Sequence, residues 1–239
     1  MNTAVSLSKI NLTTNSSRKI LKDINLKIDC GDCVAVIGPN GAGKTTILKI
    51  INGLIKQTSG EIEIFNEKIS NKIKNQIGYI PQNNYFDPFL PISVKEVISI
   101  GLSSKYGIFK NFSDKDKQII EDTAKNVGIF KLLDTPVGKL SGGEAQKLSI
   151  ARVLVQEAKL ILMDEPLSNL DNKAQKDILD VTDEIYKQKK ATILIVLHNL
   201  SQIPSCCNKI LFMSNGEIVK FGKKEEIFDN KLFQELYNL

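Results

Sequence analysis

The most informative part of the chain reads Gly38-Pro39-Asn40-Gly41-Ala42-Gly43-Lys44-Thr45-Thr46 and fits the pattern G-x-x-x-x-G-K-[ST]. The apolar run 33–37 before it predicts a buried strand, and the apolar residues of 47–51 after it have helical spacing. Glycines let successive backbone N–H groups point at phosphate oxygens, and the helix N-terminus adds a partial positive charge. The stretch therefore predicts a nucleotide-binding loop in which Lys44 neutralises the β- and γ-phosphates and the Thr45 hydroxyl ligates Mg²⁺.

Two further strands are predicted to end in chemically useful side chains. The apolar run 160–163 leads into Asp164 and Glu165, and the run 192–197 leads into His198, the single histidine of the chain. Because the carboxyl ends of parallel strands line the ligand crevice, we expect all three side chains beside the phosphate loop. Asp164 is predicted to hold Mg²⁺ directly or through water, and Glu165 to polarise a water for attack on the γ-phosphate. His198 is predicted to contact the γ-phosphate and to hold that water and Glu165 in line.

A second glycine turn predicts another anion site. It reads Leu140-Ser141-Gly142-Gly143-Glu144 and precedes a helical pattern that runs to about residue 157. Ser141 is a suitable helix N-cap, and the glycines expose backbone N–H groups behind it. Lys44 already closes one side of the phosphates, so we expect this turn to face the nucleotide from another copy of the chain.

Composition excludes several classes of protein. The chain has 239 residues, of which 42% are hydrophobic, so it can bury a core and is not disordered. Its net charge of +5 is spread along the chain and predicts no nucleic-acid surface. We expect no membrane-spanning helix and no signal peptide, because no long apolar run occurs. Four cysteines are too few for a disulfide scaffold, which favours a reducing cytosol.

The order of the patterns predicts an α/β fold. The runs 33–37, 160–163, 192–197 and 210–213 are typical of strands buried on both faces of a mostly parallel sheet, and 172–189 of a helix capped by Asp171. The ranges 5–28 and 61–65 predict a smaller N-terminal antiparallel sheet, and 94–99 and 115–127 predict helices of an insertion. We thus predict a P-loop NTPase core with an N-terminal antiparallel β-subdomain and an inserted α-helical subdomain. It is one domain over 1–239, with core residues 1–82 and 145–239 and a helical part at about 83–144.

With these motifs together, the chain resembles the ATP-binding subunits of ATP-binding-cassette (ABC) transporters over nearly its whole length. In that resemblance 38–46 is the Walker A motif, 160–165 the Walker B motif with its catalytic glutamate, and 140–144 the family signature. Gln82 matches the Q-loop glutamine, 168–171 the D-loop, and His198 the switch histidine. The motifs occur in the family's order.

The resemblance implies a mechanism beyond what the residues indicate alone. It implies a head-to-tail homodimer or pseudo-dimer that forms on ATP binding and holds two ATP molecules between Walker A of one subunit and the signature of the other. Gln82 would contact Mg²⁺ and the attacking water. It also implies integral membrane permease subunits, a position at the cytoplasmic face of the membrane, and a helical insertion that receives the permease. No nucleic-acid partner is implied.

The cargo is indicated only indirectly. The segment 86–94, which follows Gln82, looks like the same segment in ATPases of zinc and manganese importers. Importers of iron chelates or cobalamin remain an alternative, as does a soluble ABC-type ATPase such as an iron–sulfur assembly scaffold. A small-molecule kinase also uses a phosphate loop, but does not need the 141–143 turn.

One feature departs from the family pattern, and the two pairs of cysteines belong to none of its motifs. Many members place an aromatic residue near the position of Thr14 to stack on adenine, but 12–17 contains none, which predicts weak discrimination between bases. The pair Cys30 and Cys33 flanks a turn that leads into a strand, so we interpret it as structural rather than redox-active. The adjacent Cys206 and Cys207 have no assigned role.

Overall fold

Two β-sheets of different kinds organise the protein. The computed structural model describes residues 2–14, 16–82, 87, 89–103, 112–189 and 191–228. Residues 86 and 88 of the segment compared with zinc and manganese importers lie outside the described residues.

The larger sheet is mostly parallel, as predicted. Its strands, in spatial order, are β10 (Glu217–Lys223), β9 (Lys209–Ser214), β3 (Cys33–Ile37), β8 (Thr192–Val196), β7 (Leu160–Asp164) and β6 (Ile77–Ile80). Among these, β10 alone runs antiparallel to its neighbour. Every residue of β3, β7 and β8 is buried, which is why their sequences are almost continuously apolar, apart from Asp164 and Thr192 at strand ends, rather than alternating.

The smaller sheet is antiparallel, which confirms the prediction for the N-terminal part. Its strands, in spatial order, are β2 (Lys19–Asp29), β1 (Thr3–Thr13), β4 (Ser59–Ile64) and β5 (Glu67–Lys68). A tight connection joins β1 to β2, where the N–H of Thr14 donates to the carbonyl of Arg18 at 2.9 Å. This connection interrupts the predicted run 5–28.

The helices surround the larger sheet. They are α1 (Lys44–Ile51), α2 (Asn71–Lys74), α3 (Val94–Ile100), α4 (Asp114–Asn126), α5 (Gly142–Val155), α6 (Asn172–Lys189) and α7 (Lys224–Phe228). Short 3₁₀ turns occupy Phe130–Leu132, Val137–Lys139 and Leu200–Gln202. The predicted cap of α6 is present, because Asp171 Oδ1 accepts a hydrogen bond of 2.8 Å from the N–H of Ala174.

Two apolar cores lie on opposite faces of the larger sheet. Alternate residues of β3 enter different cores: Val34 and Val36 pack with α1 and the small sheet, whereas Ala35 and Ile37 pack with α3 to α6. The result is a layered arrangement with β3 at its centre. The proposed boundary near residue 144 falls inside α5, which spans Gly142–Val155, and the division into core and helical parts stays a prediction.

Candidate functional site

The carboxyl ends of three adjacent strands place the predicted catalytic groups together. Strand β8 lies between β3 and β7, and Asp164 at the end of β7 pairs in register with Val196. The phosphate loop leaves β3, Glu165 follows β7, and His198 comes two residues after β8. A parallel sheet brings these three segments to one edge because all its strands end on the same side.

The phosphate loop requires glycine at specific positions. Gly38 has φ +147°, and a Cβ there would lie 2.0 Å from the carbonyl oxygen of Met213. Gly43 has φ +98°, and its Cβ would lie 2.6 Å from Leu21 Cδ2. The loop therefore curls tightly against β9 and β2. It lines a cleft of about 250 Å³ that is also bordered by Arg18, Ile20 and Glu165.

Lys44 lies at the bottom of the loop with its amine turned inward. Its Nζ donates to the carbonyls of Gly38 at 2.8 Å and Pro39 at 3.0 Å. Burial lowers the pKa of Lys44, and the charges of Glu165 and Asp164 oppose that effect. The amine is thus a cation fixed at the loop, where phosphate oxygens can replace backbone carbonyls as its acceptors.

Asp164 and Thr45 form a compact set of oxygen ligands. The Thr45 hydroxyl donates to Asp164 Oδ1 at 2.7 Å, and the Tyr79 hydroxyl donates to Oδ2 at 3.1 Å. Asp164 is 1% exposed, and its burial raises the pKa of this carboxyl while both hydrogen bonds lower it. A hydroxyl and a carboxylate side by side fit a Mg²⁺ ion, which prefers oxygen ligands and retains waters.

Glu165 is held between two side chains that come from distant parts of the chain. Gln82 Nε2 donates to its Oε2, and His198 Nε2 lies 2.7 Å from its Oε1. The residue has φ +48°, a conformation that costs a non-glycine residue about 1 kcal/mol or more. Ser168 supports this strained turn by donating its hydroxyl to the Glu165 carbonyl at 3.0 Å.

The second glycine turn stands apart from this cleft. Ser141 caps α5, and Glu144 Oε2 accepts hydrogen bonds of 2.8 Å from both the N–H and the hydroxyl of Ser141. Ser141 and Gly142 are exposed, and neither they nor Gly143 and Glu144 line the phosphate-loop cleft. The predicted ATP-binding residues therefore fall into two groups that one copy of the chain does not bring together.

Comparison with known proteins identifies the family of the chain. The family model described as ABC transporter matches residues 21–168, a span that includes the phosphate loop, Gln82, the 141–144 turn and Glu165. The chain belongs to the ABC transporter family.

Individual relatives agree with this assignment. The manganese transport system ATP-binding protein MntA of Synechocystis sp. is 32% identical over 94% of this chain and 86% of its own length. The zinc uptake system ATP-binding protein ZurA of Listeria innocua is 35% identical over 86% of this chain and 80% of its own. The structure of cbiO1 from Clostridium perfringens, part of the ABC transporter complex cbiONQ, has a TM-score of 0.83 at 28% identity and covers 100% of this chain and 95% of that one.

This ABC protein is an ATPase with a P-loop fold, as the sequence predicted. ATP is its nucleotide. Through the part of the chain that the structure describes, no helix combines the length and the apolar character needed to cross a bilayer.

The structure adds two residues to the ABC site that the sequence analysis missed. Tyr79 lies on β6, in register with Leu162 of β7, so its hydroxyl reaches Asp164. A tyrosine in an otherwise apolar strand was the available signal, because a buried hydroxyl needs a partner. Arg18 borders the phosphate-loop cleft just after Thr14, where the family's aromatic residue was expected.

Proposed function

We propose that this ABC ATPase is the ATP-binding subunit of an importer of divalent metal ions, which hydrolyses Mg-ATP in a head-to-tail dimer. One observation carries the hydrolytic part of this proposal: the carboxylate of Glu165 borders the phosphate-loop cleft while Gln82 and His198 hold its two oxygens. A carboxylate fixed in that position can accept a proton from a water that attacks the γ-phosphate.

Each side chain has a distinct task in this reaction. The loop N–H groups and Lys44 bind the phosphates, and Thr45 and Asp164 would hold Mg²⁺, which would offset the negative charge of the phosphates. Gln82 positions the water and would also contact Mg²⁺, and His198 keeps Glu165 in line with the γ-phosphate. Positioning and electrostatic stabilisation supply most of the catalysis in phosphoryl transfer, so these fixed groups suffice.

The dimer follows from the second anion site. Ser141 is exposed at the N-terminus of α5, where backbone N–H groups and the helix dipole favour a negative charge. Its own chain's cleft does not use it. A second copy in head-to-tail orientation places this turn on the γ-phosphate, and it thereby completes two sites at once. A small-molecule kinase has no use for such a turn.

The cargo is proposed from relatives. A protein named for manganese transport and one named for zinc uptake both match most of this chain. The ATPase does not touch cargo, so we place this chain at the cytoplasmic face of the membrane, bound to permease subunits that do. Closure on ATP and reopening after hydrolysis would drive those subunits between two access states.

The dimer is tested with Glu165→Gln, which keeps the size and hydrogen bonding of the side chain but removes the base. Light scattering should show a monomer without nucleotide and a stable dimer with Mg-ATP. Ser141→Arg added to Glu165→Gln should prevent that dimer while leaving ATP bound to each monomer. A Glu165→Gln protein that stays monomeric when saturated with Mg-ATP would contradict the arrangement.

The cargo is tested with the membrane protein that co-purifies with this chain from its own cells. The two are purified together, reconstituted into liposomes and supplied with radioactive Mn²⁺, Zn²⁺ or a ferric chelate. ATP-dependent uptake of Mn²⁺ or Zn²⁺ supports the proposal. Uptake of the chelate alone favours the chelate importer, and failure to co-purify with any membrane protein favours the soluble ATPase.

A further inference from the structure

Three cysteine side chains meet at a place that ATP hydrolysis does not use. The Sγ atom of Cys33 lies 3.2 Å from that of Cys207 and 3.4 Å from that of Cys206, and all three sulfurs lie within 4.8 Å of one another. Cys30, the expected neighbour of Cys33 in a C-x-x-C pair, is exposed and outside this group. We propose that Cys33, Cys206 and Cys207 form a thiolate site for one soft metal ion, Zn²⁺ or Cu⁺.

Backbone pairing fixes the three residues relative to one another. Cys33 begins β3, which runs parallel to β9. The Cys33 carbonyl accepts from the N–H of Asn208 at 3.0 Å, and the N–H of Cys33 donates to Asn208 Oδ1 at 2.9 Å. These two bonds hold the 206–207 segment against the start of β3, so the cluster does not depend on flexible side chains alone.

A carboxylate orients the segment that carries the other two thiols. Asp183 Oδ1 accepts from the N–H of Cys206 at 2.8 Å, and its Oδ2 accepts from the Ser205 hydroxyl at 2.7 Å. The N–H of Cys207 donates to the carbonyl of Pro204 at 3.2 Å, which closes a turn. Outer contacts of this kind orient ligands at metal sites and raise their affinity.

The sulfur spacing fits a small thiophilic ion. Zinc–sulfur bonds of about 2.3 Å place tetrahedral sulfur ligands about 3.8 Å apart. The Sγ atom of Cys33 lies 3.2 and 3.4 Å from the other two, so each of these distances must lengthen by about half an ångström, which small side-chain rotations provide. Three sulfur ligands are the number that a trigonal Cu⁺ ion takes. Zn²⁺ takes a water as fourth ligand on the side of Cys206, which is half-buried, whereas Cys33 and Cys207 are buried.

Metal binding at this cluster is coupled to loss of protons. As each metal–sulfur bond forms, its thiol releases one proton to solvent, so three thiolates carry a net charge of −1 with Zn²⁺ and of −2 with Cu⁺. The affinity of the site for either ion should therefore rise with pH.

The site is separate from the nucleotide. Cys33 is the first residue of β3 and the phosphate loop begins after Ile37, the last. Five residues of strand span about 16 Å. Metal binding at the thiols can therefore be measured without ATP, and its failure would leave the proposed ATPase mechanism untouched.

The full-length reduced protein is titrated anaerobically with Zn²⁺ or Cu⁺ against a chromophoric chelator selective for each ion, and with Cd²⁺ as a spectroscopic probe. We expect one ion per chain and a thiolate-to-Cd²⁺ charge-transfer band. Cys206→Ala, at the most accessible of the three positions, should lower affinity by about 100-fold or more. Cys30→Ala is the matched control and should change affinity less than about twofold. The ion that the protein binds with the lower dissociation constant in these competitions is the preferred one.

A second measurement uses the unaltered protein. Bound metal should protect Cys33, Cys206 and Cys207 from alkylation in a mass-spectrometric assay, while Cys30 reacts at the same rate with and without metal. The proposal is overturned if no charge-transfer band forms, if Cys206→Ala binds like the native chain, or if a disulfide between two of the three cysteines withstands the reductant and excludes the ion.

Discussion

Nε2 of His198 lies 2.7 Å from Oε1 of Glu165, and Gln82 occupies the other oxygen of the same carboxylate. The Glu165 side chain is only 11% exposed, whereas that of His198 is 44% exposed. The more exposed histidine thus fixes a carboxylate that is already shielded from solvent. This relationship makes His198 a positioning residue for the proposed base.

Replacement of His198 by alanine should therefore reduce turnover far more than binding. We expect kcat for ATP to fall by about 100-fold, within the range that a positioned acid–base pair supplies, with KM changed less than about threefold. Steady-state ATPase assays separate the two constants. His198→Gln keeps a donor toward Glu165 and should recover part of kcat. Equal losses in kcat and in ATP affinity would show that the imidazole mainly binds nucleotide.

Tyr79 should tune the acidity of the proposed Mg²⁺ ligand. Its hydroxyl lowers the pKa of Asp164 by hydrogen bonding to the charged form, against burial, which raises it. Tyr79→Phe removes the first effect alone, so the pKa of Asp164 rises. Because Mg²⁺ binds the ionised carboxylate, the acid limb of kcat/KM against pH should move to higher pH. The free energy of unfolding should fall by about 1.5–3 kcal/mol, the cost of losing a bond to a charged group.

The pH profile is the informative readout for Tyr79→Phe. A variant that is less stable but keeps the native acid limb would show that the hydroxyl serves only packing. Profiles at saturating and at limiting Mg²⁺ distinguish metal binding from protonation of other groups.

The strand-end residues could be predicted from sequence because a parallel sheet forces them together. A glycine loop, an Asp-Glu pair and a histidine each follow an apolar run that forms a strand. The parallel sheet then places the ends of these strands, and the residues after them, at one edge. A tyrosine in an apolar strand indicates that its hydroxyl has a partner, but the identity of that partner, Asp164, could not be predicted because it depends on β6 lying next to β7. The positive φ of Glu165 has no sequence signal either, since glutamate disfavours that conformation.

The cysteines are a second case in which a contact between distant strands could not be predicted from local sequence. Spacing along the chain paired Cys33 with Cys30, three residues away. The side chain of Cys33 instead contacts that of Cys207, 174 residues away, because β3 lies beside β9. Local spacing predicts a shared turn, but only topology determines which distant side chains meet.

Two glycines of the phosphate loop should tolerate a methyl group very differently. Gly41 has φ +79° with nothing within 4 Å of a Cβ, whereas the Cβ of Gly38 would lie 2.0 Å from a backbone oxygen of β9. Gly41→Ala should cost about 1 kcal/mol of unfolding free energy from backbone strain alone. Gly38→Ala should cost at least about 3 kcal/mol more, because two backbone segments must separate. Urea unfolding without nucleotide measures both, and equal costs would show that the loop moves away from β9 freely.

Arg18 should replace the missing aromatic residue as the contact for the base. The guanidinium borders the phosphate-loop cleft, is exposed, and presents a flat face that stacks on aromatic rings. A stacking contact does not distinguish one base from another, so the affinities of the native protein for GTP and ATP should differ by less than about tenfold in competition assays. Arg18→Ala should weaken ATP and GTP together by about 3- to 30-fold, the range of a cation–π contact, and Arg18→Lys should restore little of it. Competition with inorganic tripolyphosphate is the control, because loss of a stacking contact leaves its affinity unchanged. If tripolyphosphate weakens as much as ATP, Arg18 binds phosphate and the base is held by another group.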